Sequence, residues 1–272
     1  MSRLWFKGNI VLTLVLASIL TATQTSADEV SPPTMRFCYE NQEYRPFLVA
    51  TDDHKTRLGH NGALPDLVIE TTRSLGIQAE FVNYPWKRCI ALLQSGEVDG
   101  IFAAIWQKER EEWGVFPKRN NQADERYSLW RVQYDIYTSK NSLLSWDGTA
   151  FSNIKSGVSA PLGYIAEQKL KQMGVLSRNS YVPSEGLRVV ALNRLDGFVV
   201  ESNIGDHIVI SQAIQADIKK LSIPFMVADW YLPLSHQWVK AHPKLAQAFW
   251  NKLAEVRAQK AEVLHKQYAL IQ

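Results

Sequence analysis

NYPWKRCIALLQSGEVDGIFAAIWQKEREEWGVFP, residues 83–117, sets the pattern for the rest of the 272-residue chain. Pro85 is pre-set for a first helical turn. Trp86, Ile90 and Leu93 follow at helical spacing and form one apolar stripe. Ser95-Gly96 stops the helix. Val98–Ala104 is a short, mostly apolar run, as expected of a strand buried on both faces. Glu109-Arg110-Glu111 then precedes a return to apolar residues at Trp113–Phe116. In an open α/β sheet, ligands bind beyond the carboxyl ends of strands, and Arg110 follows such an end.

Working outward, Thr34–Tyr39 reads as a first strand, followed by a loop carrying Glu43-Tyr44-Arg45-Pro46-Phe47. Asp52–Asn61 is polar and reads as a loop. Leu64, Leu67, Val68 and Leu75 recur as a helix that Gly76 ends, and Ala79–Val82 is the next strand. Arg126–Lys140 alternates apolar and polar residues over a span long enough to cross between two lobes. The βα pattern restarts at Gly157-Val158-Ser159 with a turn at Pro161-Leu162-Gly163. Helices are expected over Tyr164–Met173 and Ser184–Asn193, and a buried strand over Leu195–Val200. Ser202–Ala216 is expected to be a helix with a serine cap, Ile218–Val227 extended, and Leu232–Val239 a returning strand. One helix from His242-Pro243 to Val256 and a further one to Tyr268 close the chain. LLQSGEVDGIFAA and VALNRLDGFVVES share one order: helix, turn, Asp-Gly, apolar strand. They point to two similarly built lobes.

With 46% hydrophobic residues the chain can form one or two real cores. Arg3 and Lys7, the apolar run Ile10–Ala22 and the small residues Thr25-Ser26-Ala27 read as a cleaved signal peptide over 1–27. Export would carry the protein to the periplasm. Removing Arg3 and Lys7 leaves 28 basic against 27 acidic residues, from 30 and 27 in the whole chain. No basic block stands out, so nucleic acid is not an expected partner. The histidines show no HExxH spacing and no GxSxG is present, which removes the common zinc and serine hydrolase motifs. No metal or cofactor is expected.

The pattern PWxRxxxxLxxGxVDGI, with ER and an aromatic-Pro about ten residues on, resembles the periplasmic solute-binding proteins of ABC transporters. The closest group is family 3, which binds polar amino acids on a type II periplasmic fold. HPKLAQAFWNKL…KQY resembles that family's closing pattern. The resemblance implies an α/β, two-lobed fold in which each lobe is a mostly parallel sheet flanked by helices. The expected lobes are 28–130 with 235–272, and 131–234, joined by two crossings near Trp130–Tyr137 and Ala228–Ser235.

The resemblance also implies a grip. Arg110 would take a ligand carboxylate and Glu201, where the family usually has Asp, the ammonium. Tyr44 would cover one face of the ligand, and Trp86 would form a wall. Gly163 and Tyr164 stand where the family has a Gly-Thr/Ser loop whose N–H groups face an anion. Each residue has a plain alternative: a surface salt bridge for Arg110, a helix-terminal charge for Glu201, ordinary packing for Tyr44 and Trp86. Ala103-Ala104-Ile105-Trp106 lacks the family's hydroxyls, which argues for a larger, more aromatic pocket. Cys38 and Cys89 leave one bridge or two buried thiols open. Both fall in the first lobe of an exported chain, so a disulfide is expected.

The expected function is non-enzymatic. A monomer would close on a small polar solute, an amino acid or related zwitterion, and hand it to an ABC permease or a membrane sensor. The alternatives are a dehydratase-like enzyme on the same fold and an orphan sensory module.

Overall fold

Beyond Met1 and Ser2, the computed structural model describes residues 32–49 and 62–270. The expected signal peptide over 1–27, beyond its first two residues, and the loop Asp52–Asn61 lie outside the described residues.

The first sheet has the order β2-β1-β3. It is built from β1 (Thr34–Glu40), β2 (Gln78–Tyr84) and β3 (Gly100–Ile101). All pairings are parallel, with Phe37 opposite Phe81 and Gly100. Helices α1 (Ala63–Ser74) and α2 (Trp86–Ser95) supply the crossovers. α2 starts at Trp86, with Pro85 as its extended cap rather than in its first turn, and as read from the sequence it stops at Gly96, which takes a left-handed φ of 77°. Phe37 stacks between Phe81 and Phe249, each 5.8 Å away. Gly100 permits this approach, because a Cβ there would lie 2.9 Å from the Phe37 ring.

The run Val98–Ala104 is not one strand. It leaves the first sheet after Ile101, and Ala103 takes φ 71°, a left-handed conformation that costs a non-glycine residue free energy. Ala104–Ile105, β4, then pairs antiparallel with Tyr231 and Trp230 in the second sheet. The chain continues through a 3₁₀ turn, Lys108–Glu112, and a small hairpin of β5 (Lys118–Arg119) and β6 (Gln122–Ala123). Asn120 and Asn121, both at positive φ, form the hairpin turn.

In the second sheet β7 (Trp130–Ser139) is central. Around it lie β10 (Val158–Ser159), β11 (Gly197–Glu201), β12 (Ile218–Lys220) and β13 (Met226–Tyr231), in the order β10-β11-β7-β13-β4 with β12 also on β7. A hairpin of β8 (Ser145–Trp146) and β9 (Phe151–Ser152) stands apart. Helices α3 (Ile165–Gln172), α4 (Pro183–Ala191) and α5 (Ser202–Ser211) accompany this sheet.

The two Asp-Gly echoes have one structural cause. Asp99 accepts a hydrogen bond from the Arg36 N–H at 2.7 Å, and its own N–H donates to the Arg36 carbonyl. Asp196 accepts from the N–H groups of Lys155, Ser156 and Gly157 at 2.6–2.8 Å, and its N–H donates to the Gly157 carbonyl. Each aspartate thus ties the start of its strand to the neighbouring segment.

Four expectations are corrected. Arg126 and Tyr127 lie in a 3₁₀ turn, Glu125–Tyr127, so the long strand starts only at Trp130. The helix at Ser202 ends at Ser211 and is capped by Glu201 rather than by Ser202. Leu232–Val239 is not a strand: extended backbone stops at Leu234, and Ser235 accepts from the Trp238 N–H at 3.1 Å to cap α6 (His236–Ala241). The two closing helices are one, α7 (Pro243–Leu270), 28 residues long and roughly 40 Å in length at 1.5 Å per residue. It packs along α1, with the Tyr268 hydroxyl donating to Asp66 at 2.8 Å.

Cys38 and Cys89 form a disulfide with a Cα–Cα distance of 5.5 Å, both fully buried. It fastens the carboxyl end of β1 to α2 across a sequence separation of 51. In the chain-entropy model a loop of this size contributes up to about 4 kcal/mol. The double variant Cys38→Ala/Cys89→Ala is therefore expected to unfold at lower guanidinium concentration than the oxidised protein. An unchanged midpoint would show that the bridge adds no stability.

Candidate functional site

A cavity opens between the two sheets, beyond the carboxyl end of β1 and below the amino end of α3. Arg110 reaches it from the 3₁₀ turn after β4 and is 6% exposed. Its guanidinium donates to the Ile105 carbonyl at 3.2 Å and to the Gly163 carbonyl at 3.1 Å, and it lies 5.8 Å from the Trp113 ring centre. Burial pushes its pKa down to about 10, still well above neutrality. The flanking acids do not hold it. Glu111 instead binds Lys118 at 2.6 Å and the Trp106 indole at 2.9 Å. Among the described residues no carboxylate lies within ion-pair distance of Arg110.

Glu40, the last residue of β1, lines the same cavity and is not foreseen from the sequence. Its carboxylate accepts from the Tyr44 hydroxyl at 3.3 Å and from the Tyr164 hydroxyl. Surrounding protein raises its pKa to about 7, against the pull of the two phenols. Among the described residues no cationic side chain pairs with it. The signal in the sequence was an acid ending the strand, right after the apolar run Phe37-Cys38-Tyr39.

The other expected residues divide. Tyr44, Trp86 and Tyr164 all line the cavity. Trp86, the first residue of α2, meets the Tyr164 ring edge-to-face at 6.3 Å. Gly163 does not line the cavity, and its carbonyl accepts from Arg110. Its N–H donates to Glu167, so that N–H does not face the cavity as expected. Its φ of 83° favours glycine, and a Cβ would press on Trp86 and Lys87 at 3.3–3.4 Å. Glu201 is not brought into the cavity. It is 2% exposed and accepts from the Ile204 N–H at 3.0 Å and the Asn203 side chain at 2.9 Å. It is the cap of α5, and burial lifts its pKa to about 7. Sequence reasoning also missed Tyr134, whose hydroxyl accepts from the Trp230 indole at 3.0 Å.

Chemically, the cavity presents one buried positive group and one half-buried titrating carboxyl on an apolar, aromatic wall. Among the described residues no group of His, Cys, Asp and Glu is placed to hold a metal ion.

The Glu40 carboxyl sets a pH dependence. With its pKa near 7 in the folded protein and near 4.5 when exposed, the folded state binds the proton more tightly. Its contribution to stability is full below pH 4.5 and is lost as pH rises through 7. Glu40→Gln is expected to match the wild type at pH 4 and to exceed it at pH 8 by on the order of 2–3 kcal/mol. Urea melts at both pH values check this, and equal gains at both would assign the effect to packing.

The model of the bacterial extracellular solute-binding proteins, family 3, matches residues 35–270. The chain belongs to this family. No curated protein sequence matches it. Among solved structures it is similar to a histidine kinase sensor domain with similarity to periplasmic binding proteins: TM-score 0.68, 16% identity, covering 88% of this chain and 96% of that one. It is similar to an ancestral arginine-binding protein bound to arginine: TM-score 0.67, 17% identity, covering 88% and 99%. A third is an ancestral amino-acid-binding protein, a precursor of cyclohexadienyl dehydratase: TM-score 0.62, 19% identity, covering 86% and 95%. At these identities the likeness establishes the fold, the two-lobed type II periplasmic-binding architecture.

Proposed function

We propose that this chain holds a small zwitterion, an amino acid or a close relative, with its carboxylate on Arg110 and its protonated nitrogen on Glu40. One observation carries the reading. A buried guanidinium and a half-buried carboxyl line one cavity, yet neither pairs with the other nor with any other charged group among the described residues. Unpaired buried charges are costly, and a zwitterion between them satisfies both. Arg110 has five N–H donors and spends two on carbonyls, which leaves donors for a carboxylate. Tyr44 and Trp86 would flank the ligand, and Tyr164 would reach it from the other side.

In this reading the lobes are 28–130 with 235–272, and 131–234, and β7 and β13 carry the hinge. The bond from Arg110 to Gly163 and that from Tyr164 to Glu40 then cross the cleft. A ligand that touches both sides favours the closed form by its differential affinity for it. The protein would act in the periplasm after signal-peptide cleavage, as a monomer, and present its solute to an ABC permease or to a membrane sensor. The family and its amino-acid-binding structural neighbours support binding without turnover. One observation favours a second reading, an enzyme of the dehydratase type: a carboxyl with a pKa near 7 inside the cavity is suited to proton transfer. Mass analysis of any bound solute after long incubation separates the two.

Calorimetry against the common L-amino acids tests the grip. Arg110→Ala and Glu40→Gln are each expected to weaken the best binder roughly 10- to 100-fold, from charge-assisted hydrogen bonds of about 1.5–3 kcal/mol. Arg110→Lys recovers only part of this, because an ammonium lacks the two-pronged geometry. Glu201→Gln leaves affinity unchanged. Unaltered affinity in Arg110→Ala would remove the carboxylate site. Small-angle scattering of the protein alone and saturated with that amino acid is expected to show a smaller radius on binding, and superimposable profiles would exclude hinge closure.

A further inference from the structure

The chemistry of the wall narrows the ligand further. Beyond Glu40 and Arg110, the side-chain polar atoms lining the cavity are three tyrosine hydroxyls and two indole N–H groups. The hydroxyls of Tyr44 and Tyr164 are spent on Glu40. The Trp230 indole is spent on the Tyr134 hydroxyl, which thereby already accepts. Among the described wall residues the side-chain donors left over are the Tyr134 proton and the Trp86 indole N–H, and the acceptors left over are lone pairs on phenol oxygens already bonded to Glu40 or to Trp230. The rest of the wall is hydrocarbon or ring: Phe47, Leu48, Leu64, Phe102, Ile105 and Ile204 among others. Once Glu40 takes the ligand's protonated nitrogen, the described wall side chains offer an amide, guanidinium or second ammonium no further carboxylate or amide acceptor, only phenol oxygens that are already engaged.

We propose that the cavity selects zwitterions with an apolar or aromatic side chain and rejects those with an amide, guanidinium or amine. This rests on the zwitterion reading above and deepens it. The physical basis is asymmetric. An apolar side chain gains by leaving water for this wall, whereas a polar group with several N–H donors gives up more hydrogen bonds to water than these few engaged phenol oxygens return, and it bears the difference as desolvation cost. The same asymmetry makes sites that lack a polar partner poor hosts for polar groups of equal size.

Pairs of similar shape test the proposal, measured on the purified protein by calorimetry: L-leucine against L-asparagine, L-methionine against L-glutamine, and L-phenylalanine against L-histidine, with L-arginine as the long cation. The apolar member of each pair is expected to bind roughly 10- to 100-fold more tightly. Arg110→Ala is measured beside it, to show that the amino acid sits in this cavity. Equal or tighter binding of asparagine, glutamine or arginine, lost in Arg110→Ala, would overturn the selectivity and leave the zwitterion grip standing. Failure of every amino acid to bind, or binding indifferent to Arg110→Ala, would overturn the grip itself and this inference with it.

Discussion

Two opposite charges held inside one apolar cavity without touching each other constrain everything around them. Left bare, each would carry a large desolvation cost. The protein offsets part of it with neutral partners: carbonyls of Ile105 and Gly163 for Arg110, phenols of Tyr44 and Tyr164 for Glu40. Neutral partners fix position and supply hydrogen bonds, but they do not cancel charge. The guanidinium remains cationic, and the carboxyl remains poised near neutral pH. A salt bridge between them would have been more stable and would have closed the site to any charged ligand.

Holding the charges apart is a task of the scaffold. Glu40 ends a strand that the disulfide fastens to α2, the same helix whose first residue is Trp86. Arg110 hangs from a 3₁₀ turn that follows the chain's change of sheet at Ala103. Were Val98–Ala104 a single straight strand, the turn would follow the first sheet alone. The left-handed residue sends Ala104 and Ile105 to β13 instead. The Arg110 side chain then reaches Gly163, in the loop ahead of α3. The strained alanine is thus tied to the geometry of the cavity, which it lines.

Much of this was legible in the sequence, and the failures have specific causes. Helical stripes, the Gly96 stop and the paired Asp-Gly motifs are all local signals, and the structure places them where those signals indicate. The break at Ala103 was not legible, because alanine gives no mark of positive φ as glycine would. Ser235 was hidden inside an apolar run that reads equally well as strand. Glu201 and Glu40 are the instructive pair. Both are acids at the last position of a strand, after an apolar stretch, and position by resemblance favoured Glu201. What separates them is three-dimensional: Glu201 is followed by a helix whose free N–H groups capture its carboxylate, whereas β1 is followed by a loop that brings Tyr44 back toward Glu40. Nothing in the spacing of either acid reports which N–H or O–H groups will reach it.

Grip and wall also differ in how freely they can change. Leu64, Phe47 and Phe102 line the cavity and are at the same time fully or almost fully buried members of the main hydrophobic core. Truncating such residues costs roughly 2–5 kcal/mol through the space left behind, so the apolar character of the floor is bound to the stability of the fold. Tyr164 and Trp86 stand at the junction, since Tyr164 packs against both core clusters while Trp86 belongs to the smaller one. Substitution of the partly buried Tyr164 alters the contact between the two sides of the cavity without emptying either core, whereas Trp86 also fills the smaller one. The rim at Tyr164 is therefore freer to change than the floor, whose apolar character is fixed by its share in the core.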